Sequence, residues 1–283
     1  MGVTGTAVEV PRVVVTVQPA FEPVPLDDLR SHLRITGTDH DASLAAYLTA
    51  ARLLVEGIQG TAWVTQTRTK TLDAFPADDG PIELDGAPLQ SITSITYTKE
   101  DASSGTVSTS TYHTDTATRP GRAVLKVDEE WPDDDLIATG GVVVTYVAGY
   151  APVTAAVTIS NATPAVVTWS AHGLANGAAV HFTTTGALPT GITAERTYYV
   201  AQAAAGTFQL AASPGGSSIA TTTAGSGTHT AVSLWRIPAT VKHALKLIVG
   251  DYFEGREASS EQQLFEIPSV APLVNADRIW GFA

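Results

Sequence analysis

The stretch that most restricts what this chain can fold into is residues 237–257, IPATVKHALKLIVGDYFEGRE. Val241, Leu245, Ile248 and Tyr252 recur at four-three-four spacing, with His243, Lys246 and Glu254 on the other side, which predicts one amphipathic helix with an apolar stripe to bury. Pro238 fits its first turn, where a missing N–H costs nothing. Gly250 in mid-helix costs about 1 kcal/mol relative to alanine; it marks either a close approach by another segment or a tolerated surface glycine.

Two earlier helices offer that stripe a partner. Pro25 opens the first, with Asp27 and Asp28 in its positive first turn, Leu26, Leu29 and Leu33 on one side, and Gly37 as its expected end. The second starts from a capping-box spacing of Thr38 and Asp41, repeats Leu44, Leu48, Ala51, Val55 and Ile58 at helical steps, and stops at Gly60. A short-linked pair of this kind is an antiparallel hairpin whose apolar sides need a third element. Its expected core, with the late helix, is Leu29, Leu33, Leu44, Leu48, Val55, Val241, Leu245, Ile248 and Tyr252.

Between the helices the period changes to two. Residues 63–72 alternate with threonines and read as an exposed or edge strand; 82–84, 91–98, 106–112, 122–127 and 141–150 follow, with turns at Asp85-Gly86 and 103–105. Before them, residues 1–24 form an extended, proline-punctuated arm whose β-branched run Val13 to Val17 makes a strand or lies on a neighbour. At Ala151 the composition turns to Thr, Ala and Gly with few charges. Short apolar pieces at 166–169, 179–182, 197–200 and 207–210 then predict a small all-β module over 152–234. The earlier style resumes at Trp235, so the module reads as an insertion in a loop of a core made of 25–151 and 235–266. The expected class is α+β: a helical bundle, an antiparallel β region and an inserted all-β domain.

The last segment, 267–283, carries too many prolines for a long helix and too many apolar residues for an idle tail. Ile267, Val270, Leu273, Val274, Ile279, Trp280 and Phe282 make it a docking segment, for its own chain or for a partner.

Chemistry is harder to find. Without cysteine, thiolate nucleophiles, disulfides and zinc-thiolate sites are excluded. A net charge of -12 is the wrong sign for a protein whose main affinity is for phosphate backbones. No phosphate-binding loop, nucleophile elbow, HExxH helix or dinucleotide fingerprint occurs. The seven histidines show no close metal-ligand pair, and the acidic run Asp128 to Asp135 lacks the spacing of a calcium loop. No cofactor is expected, and neither is an enzyme. Apolar runs are strand-sized and no basic leader precedes one, so the expectation is cytoplasmic synthesis with no membrane partner. One binding alternative stays open: Trp169, Tyr198, Tyr199 and Phe208 as sugar-stacking surfaces of a glycan-binding or wall-degrading protein, against a plain role in the module's core.

Taken in order, PLDDLRSHLRITGTDHDASLAAYLTAARLLVEGIQGTAWVTQTRTKTLDAFP, PLQSITSITY, VVVTYVAGY and IPATVKHALKLIVGDYFEGRE resemble the head-to-tail connector (adaptor) proteins of long-tailed bacteriophages. Gln66, Ser94, Tyr97, Gly149, Tyr150, Pro238, Tyr252, Glu254, Arg256 and Glu257 stand at the matching places, and the likeness runs over about 25–150 and 235–280. The departure is the insertion, itself similar to small β modules that recur in phage virion proteins. The resemblance implies a structural protein of the virion neck, assembled in the host cytoplasm as a ring, commonly of twelve copies. Its implied partners are further copies of itself, the portal protein, and a tail-completion (stopper) or tail terminator protein. DNA is implied to pass through the channel without tight binding, and the segment from Ile267 to Phe282 to grip the portal.

Overall fold

The computed structural model describes residues 12–194, 196–234, 236–255 and 270–275, and divides into two compact units. One holds the N-terminal strand and Glu56–Gly149; the other holds Glu22–Val55 and the described residues between Tyr150 and Asn275.

The first unit is built on two antiparallel sheets. Strands β1 (Arg12–Val17), β2 (Gln66–Leu72), β4 (Leu89–Thr98), β5 (Ser104–Thr106) and β8 (Val142–Ala148) form one sheet in the order β1-β2-β8-β4-β5. Strands β3 (Ile82–Leu84), β6 (Tyr112–Asp115) and β7 (Gly121–Leu125) form the other, in the order β3-β7-β6. Strand β8 is central, and its Val142, Val144, Tyr146 and Ala148 are buried while the alternate residues are less so, the period of two that a half-covered sheet imposes. With Ile82, Leu84, Ile95, Tyr112 and Trp131 they make one apolar core.

The alternating run after Trp63 is not an edge strand, because β1 pairs along β2 from Arg12↔Thr71 to Val17↔Thr67 and covers it. Residues 106–112 are not one strand: β5 ends at Thr106 and β6 begins at Tyr112, with a turn between them closed by the Thr111 N–H on Ser108 O.

The second unit contains α1 (Leu26–Leu33), most of α2 (Asp41–Gln59), α3 (Ala239–Glu254) and α4 (Ala271–Asn275). Helix α1 ends before Gly37. Arg34 takes the left-handed conformation at φ 56°, and the Ile35 N–H reaches back to Arg30 O, so the helix closes on a non-glycine residue. The capping box of Thr38 and Asp41 does not form either. Helix α2 starts at Asp41, whose carboxylate is taken by the Arg30 guanidinium at 2.6 and 2.7 Å. Gly60, at positive φ, does close α2.

The same unit holds a closed six-stranded barrel of β9 (Val153–Ile159), β10 (Val166–Thr168), β11 (Ala179–Thr184), β12 (Tyr198–Ala201), β13 (Thr207–Ala211) and β14 (His229–Ser233). The sequence signals neither the first nor the last of these strands. They pair with each other, Val153 opposite Ser233, so the chain enters and leaves the barrel side by side. Closure removes every sheet edge and encloses Val167, Val180, Phe182, Tyr198, Val200, Phe208 and Leu210. The class is α+β with an all-β part, as the sequence predicts.

Candidate assembly surfaces

Helix α3 is the third wall of the α1–α2 hairpin. Leu29, Leu44, Leu48, Val55, Val241, Leu245 and Ile248 are buried; Leu33 and Tyr252 are half-buried. A Cβ on Gly250 would lie 3.4 Å from the Leu33 side chain, so the mid-helix glycine is where α1 comes close. Aromatic rings continue the seam: Tyr47 meets Tyr252 and His40 meets Phe253, both edge-on. His32 of α1 faces His243 of α3, and its pKa is lowered by burial and then by the charges of Lys246 and His243.

One carboxylate joins three elements in this unit. Asp28 Oδ1 accepts from the Tyr199 hydroxyl of β12 at 3.0 Å, and Asp28 Oδ2 lies 2.8 Å from Lys246 Nζ of α3. Burial, with Asp28 beside it, raises the Tyr199 pKa well above the ordinary phenol value. Arg52, 1% exposed, is held by Glu22 through Nε at 2.8 Å and a second nitrogen at 3.2 Å. None of these pairs was visible in the sequence, because Asp28 and Tyr199 stand 171 residues apart and no local spacing announces them.

The residues that carried the resemblance have physical reasons to be what they are. Gln66 is buried and donates to both Glu56 oxygens at 3.2 Å, while Glu56 also accepts the Trp63 N–H at 2.8 Å. Trp63 Nε1 donates to Gln59 at 2.6 Å, so the end of α2 and the entry to β2 form one polar knot in an apolar setting. Gly149, at φ +106°, lies where a Cβ would stand 2.2 Å from Val64 O. Its N–H donates to Pro88 O at 2.8 Å and its carbonyl accepts from Gln90 at 2.7 Å. Only glycine fits. Tyr97 stands edge-on to Phe75 and its ring lies over Gly105, filling the space a side chain there would take. Arg256 and Glu257 lie outside the described residues, and Glu254 is exposed at the end of α3.

Of the C-terminal segment, Val270 and Val274 are buried and Leu273 is half-buried, in or beside α4, which packs on α3. Ile267, Ile279, Trp280 and Phe282 lie outside the described residues. The four aromatics considered for sugar stacking are interior: Trp169, Tyr198, Tyr199 and Phe208 are all buried, so none presents an open ring face.

Nothing among the described residues converges as a reaction centre. An open cleft of about 580 Å³ is lined by Asp27, Arg30, Ser31, Ile35, Ala194, Arg196 and Ala212, but its one carboxylate is bound to Arg30. A second, of about 620 Å³, runs along β9 and β10 and is lined mostly by small residues and hydroxyls, with His229 the only titratable group. No group of His, Asp or Glu among the described residues is arranged to hold a metal ion, and no described helix is long and apolar enough to cross a membrane.

Residues 24–119 match the sequence model of the phage gp6-like head-tail connector protein family, so the resemblance read from the sequence is borne out over that stretch. No curated protein matches the chain. Among solved structures, a chain from the neck of an empty gene transfer agent (GTA) particle, computed with C6 symmetry, aligns at 16% identity and TM-score 0.55 over 96% of this chain and 97% of its own. A chain from the neck of the native GTA particle, computed with C12 symmetry, aligns at 14% identity and TM-score 0.54 over the same shares. A chain from the virion of the native GTA particle aligns at 16% identity and TM-score 0.54, again over 96% and 97%. These likenesses establish a shared fold along nearly the full length, barrel included.

Proposed function

We propose that this chain is a non-enzymatic structural protein of the neck of a phage-like particle, a head-to-tail connector whose copies form a ring, twelve in number, beneath the portal. On this reading the ring receives the tail-completion (stopper) or tail terminator protein on its far side, and DNA passes through the centre. The observation that carries it is the coincidence of two independent likenesses: a connector family over 24–119, and neck chains over 96% of the length. The net charge of -12 agrees with a channel that does not hold phosphates, since cationic walls would retain moving DNA. We assign the portal contact to the segment from Ile267 to Phe282, on its apolar composition.

The glycan-binding alternative is the weaker reading because its aromatics are core residues. The test is electron microscopy of portal-bearing capsids mixed with the purified full chain and with a chain ending at Glu266. A ring at the portal vertex with the full chain, absent with the shortened one, is the expected result. A full chain that leaves the vertex bare overturns the proposal.

A further inference from the structure

The five-stranded sheet has two edges of unequal character. At one side lies β5, three residues of Ser-Gly-Thr, short and polar. At the other lies β1, RVVVTV, with no proline, no lysine and one charge. Among the described residues nothing pairs with the outer side of either strand. Strand β1 holds a regular register on β2 from Arg12 to Val15 before one irregularity near Thr16, and Val14 and Val17 are 47% and 58% exposed. Sheet edges in lone proteins are ordinarily blunted by charge, proline or brevity, because a row of open N–H and C=O groups pairs with any strand that reaches it. Over its first four residues β1 has only the charge of Arg12 at its start, followed by three valines.

Resting on the ring reading above, we infer that the outer edge of β1 is a subunit contact, and that its occupant is β5 of the next copy of this chain. Every neighbour in the sheet is antiparallel, and four steps separate β1 from β5, so the two edge strands run in the same direction. The small rotation between adjacent copies of a many-membered ring preserves that direction, and β5 meets the neighbour's β1 as a parallel pair. Two different edges meeting head to tail is the arrangement that closes a ring, whereas β1 against β1 gives a two-fold dimer and stops. The contact is made of main-chain hydrogen bonds, with the valines of β1 covering its faces.

The absence of cysteine makes the test clean. Within one chain the two edges are about 19 Å apart, four strand spacings, beyond the reach of a short bis-maleimide, so any cross-link joins copies. The full-length variants Val14→Cys, Ser104→Cys and the double variant are treated with that reagent, and circular dichroism checks that each keeps its fold. Electron microscopy of the untreated protein reports ring formation separately. The double variant is expected to give a ladder of covalent species from dimer upward, with neither single variant giving any. Rings without a ladder overturn the β1–β5 contact and leave the ring reading standing. Dimers from Val14→Cys alone overturn it in favour of a two-fold pair. A ladder without rings upholds the contact and sinks the ring; neither ladder nor rings sinks both.

Discussion

The Tyr199 hydroxyl donates to Asp28 at 3.0 Å across 171 residues of sequence, tying the barrel to the first turn of α1, and the same carboxylate holds Lys246 of α3. A neutral donor on a charged acceptor in a half-buried place is worth about 1–2 kcal/mol net.

Tyr199→Phe is therefore expected to lower unfolding stability by about 1–2 kcal/mol at neutral pH, read from urea denaturation. The difference from the parent depends on pH with a definite sign. Burial and Asp28 raise the folded-state pKa of the phenol, so its contribution is fully present below the unfolded value of about 10 and is lost as pH climbs from there toward the folded value. The parent's advantage over Tyr199→Phe is expected to shrink above pH 10. An advantage that grows with alkalinity contradicts the assignment.

Gly149→Ala places a methyl 2.2 Å from Val64 O at a φ of +106°. Both the clash and the backbone conformation oppose it, and the turn that ends β8 is also fixed by hydrogen bonds to Pro88 and Gln90. A loss of about 2–4 kcal/mol is expected, visible as a lower midpoint in denaturant. The control is Gly37→Ala. Its φ is also positive but no atom stands within 4 Å of the added Cβ, and about 1 kcal/mol is expected there.

Glu22→Gln weakens the two-pronged contact that holds Arg52, a guanidinium 1% exposed. Removing charge from one partner of a buried pair is costly, and the 26% exposure of Glu22 moderates it; about 2–3 kcal/mol is expected. Arg52→Met in the Glu22→Gln background is expected to recover part of that loss, because an apolar side chain of similar length needs no counter-charge. Thermal unfolding of the four proteins in the cycle measures the coupling, and strict additivity would show the pair to be inert.

Replacing 153–233 by a short Gly-Ser link is expected to leave the helical seam intact, since Val153 and Ser233 are already paired neighbours and the gap to be bridged is one strand spacing. The separated chain loses the Tyr199 contact to Asp28 and with it about the same 1–2 kcal/mol as Tyr199→Phe. Near-native helical circular dichroism with a modestly lower melting temperature is the expected outcome; a wholly unfolded chain would show that the barrel is part of the folding core.

Much of the helical part is legible because its signals are local. The stripe of α3 at Val241, Leu245, Ile248 and Tyr252 and that of α2 at Leu44, Leu48 and Val55 need only the helical period, and the buried residues fall on it. The misreadings occur where a distant partner overrides a local cue. Asp41 looks like a capping-box member but is claimed by Arg30, eleven residues earlier. Strand β2 has the threonine-rich look of an exposed edge but is covered by β1, fifty residues away in sequence where Val17 pairs with Thr67. Strands β9 and β14 carry no clear strand signal because small and polar residues dominate them; what makes them strands is closure of the barrel. The assembly surfaces are the least legible of all, since an open strand edge has no sequence period of its own.

The adjacency of Val153 and Ser233 reaches beyond stability. To the parent backbone, an excursion over residues 153–233 that departs and returns within one hydrogen-bonded step is topologically a hairpin tip. Lineages can gain, lose or trade such a cassette by recombination at two neighbouring codon stretches without redrawing the path from β8 to α3, and an engineer can use the same doorway to display foreign cargo.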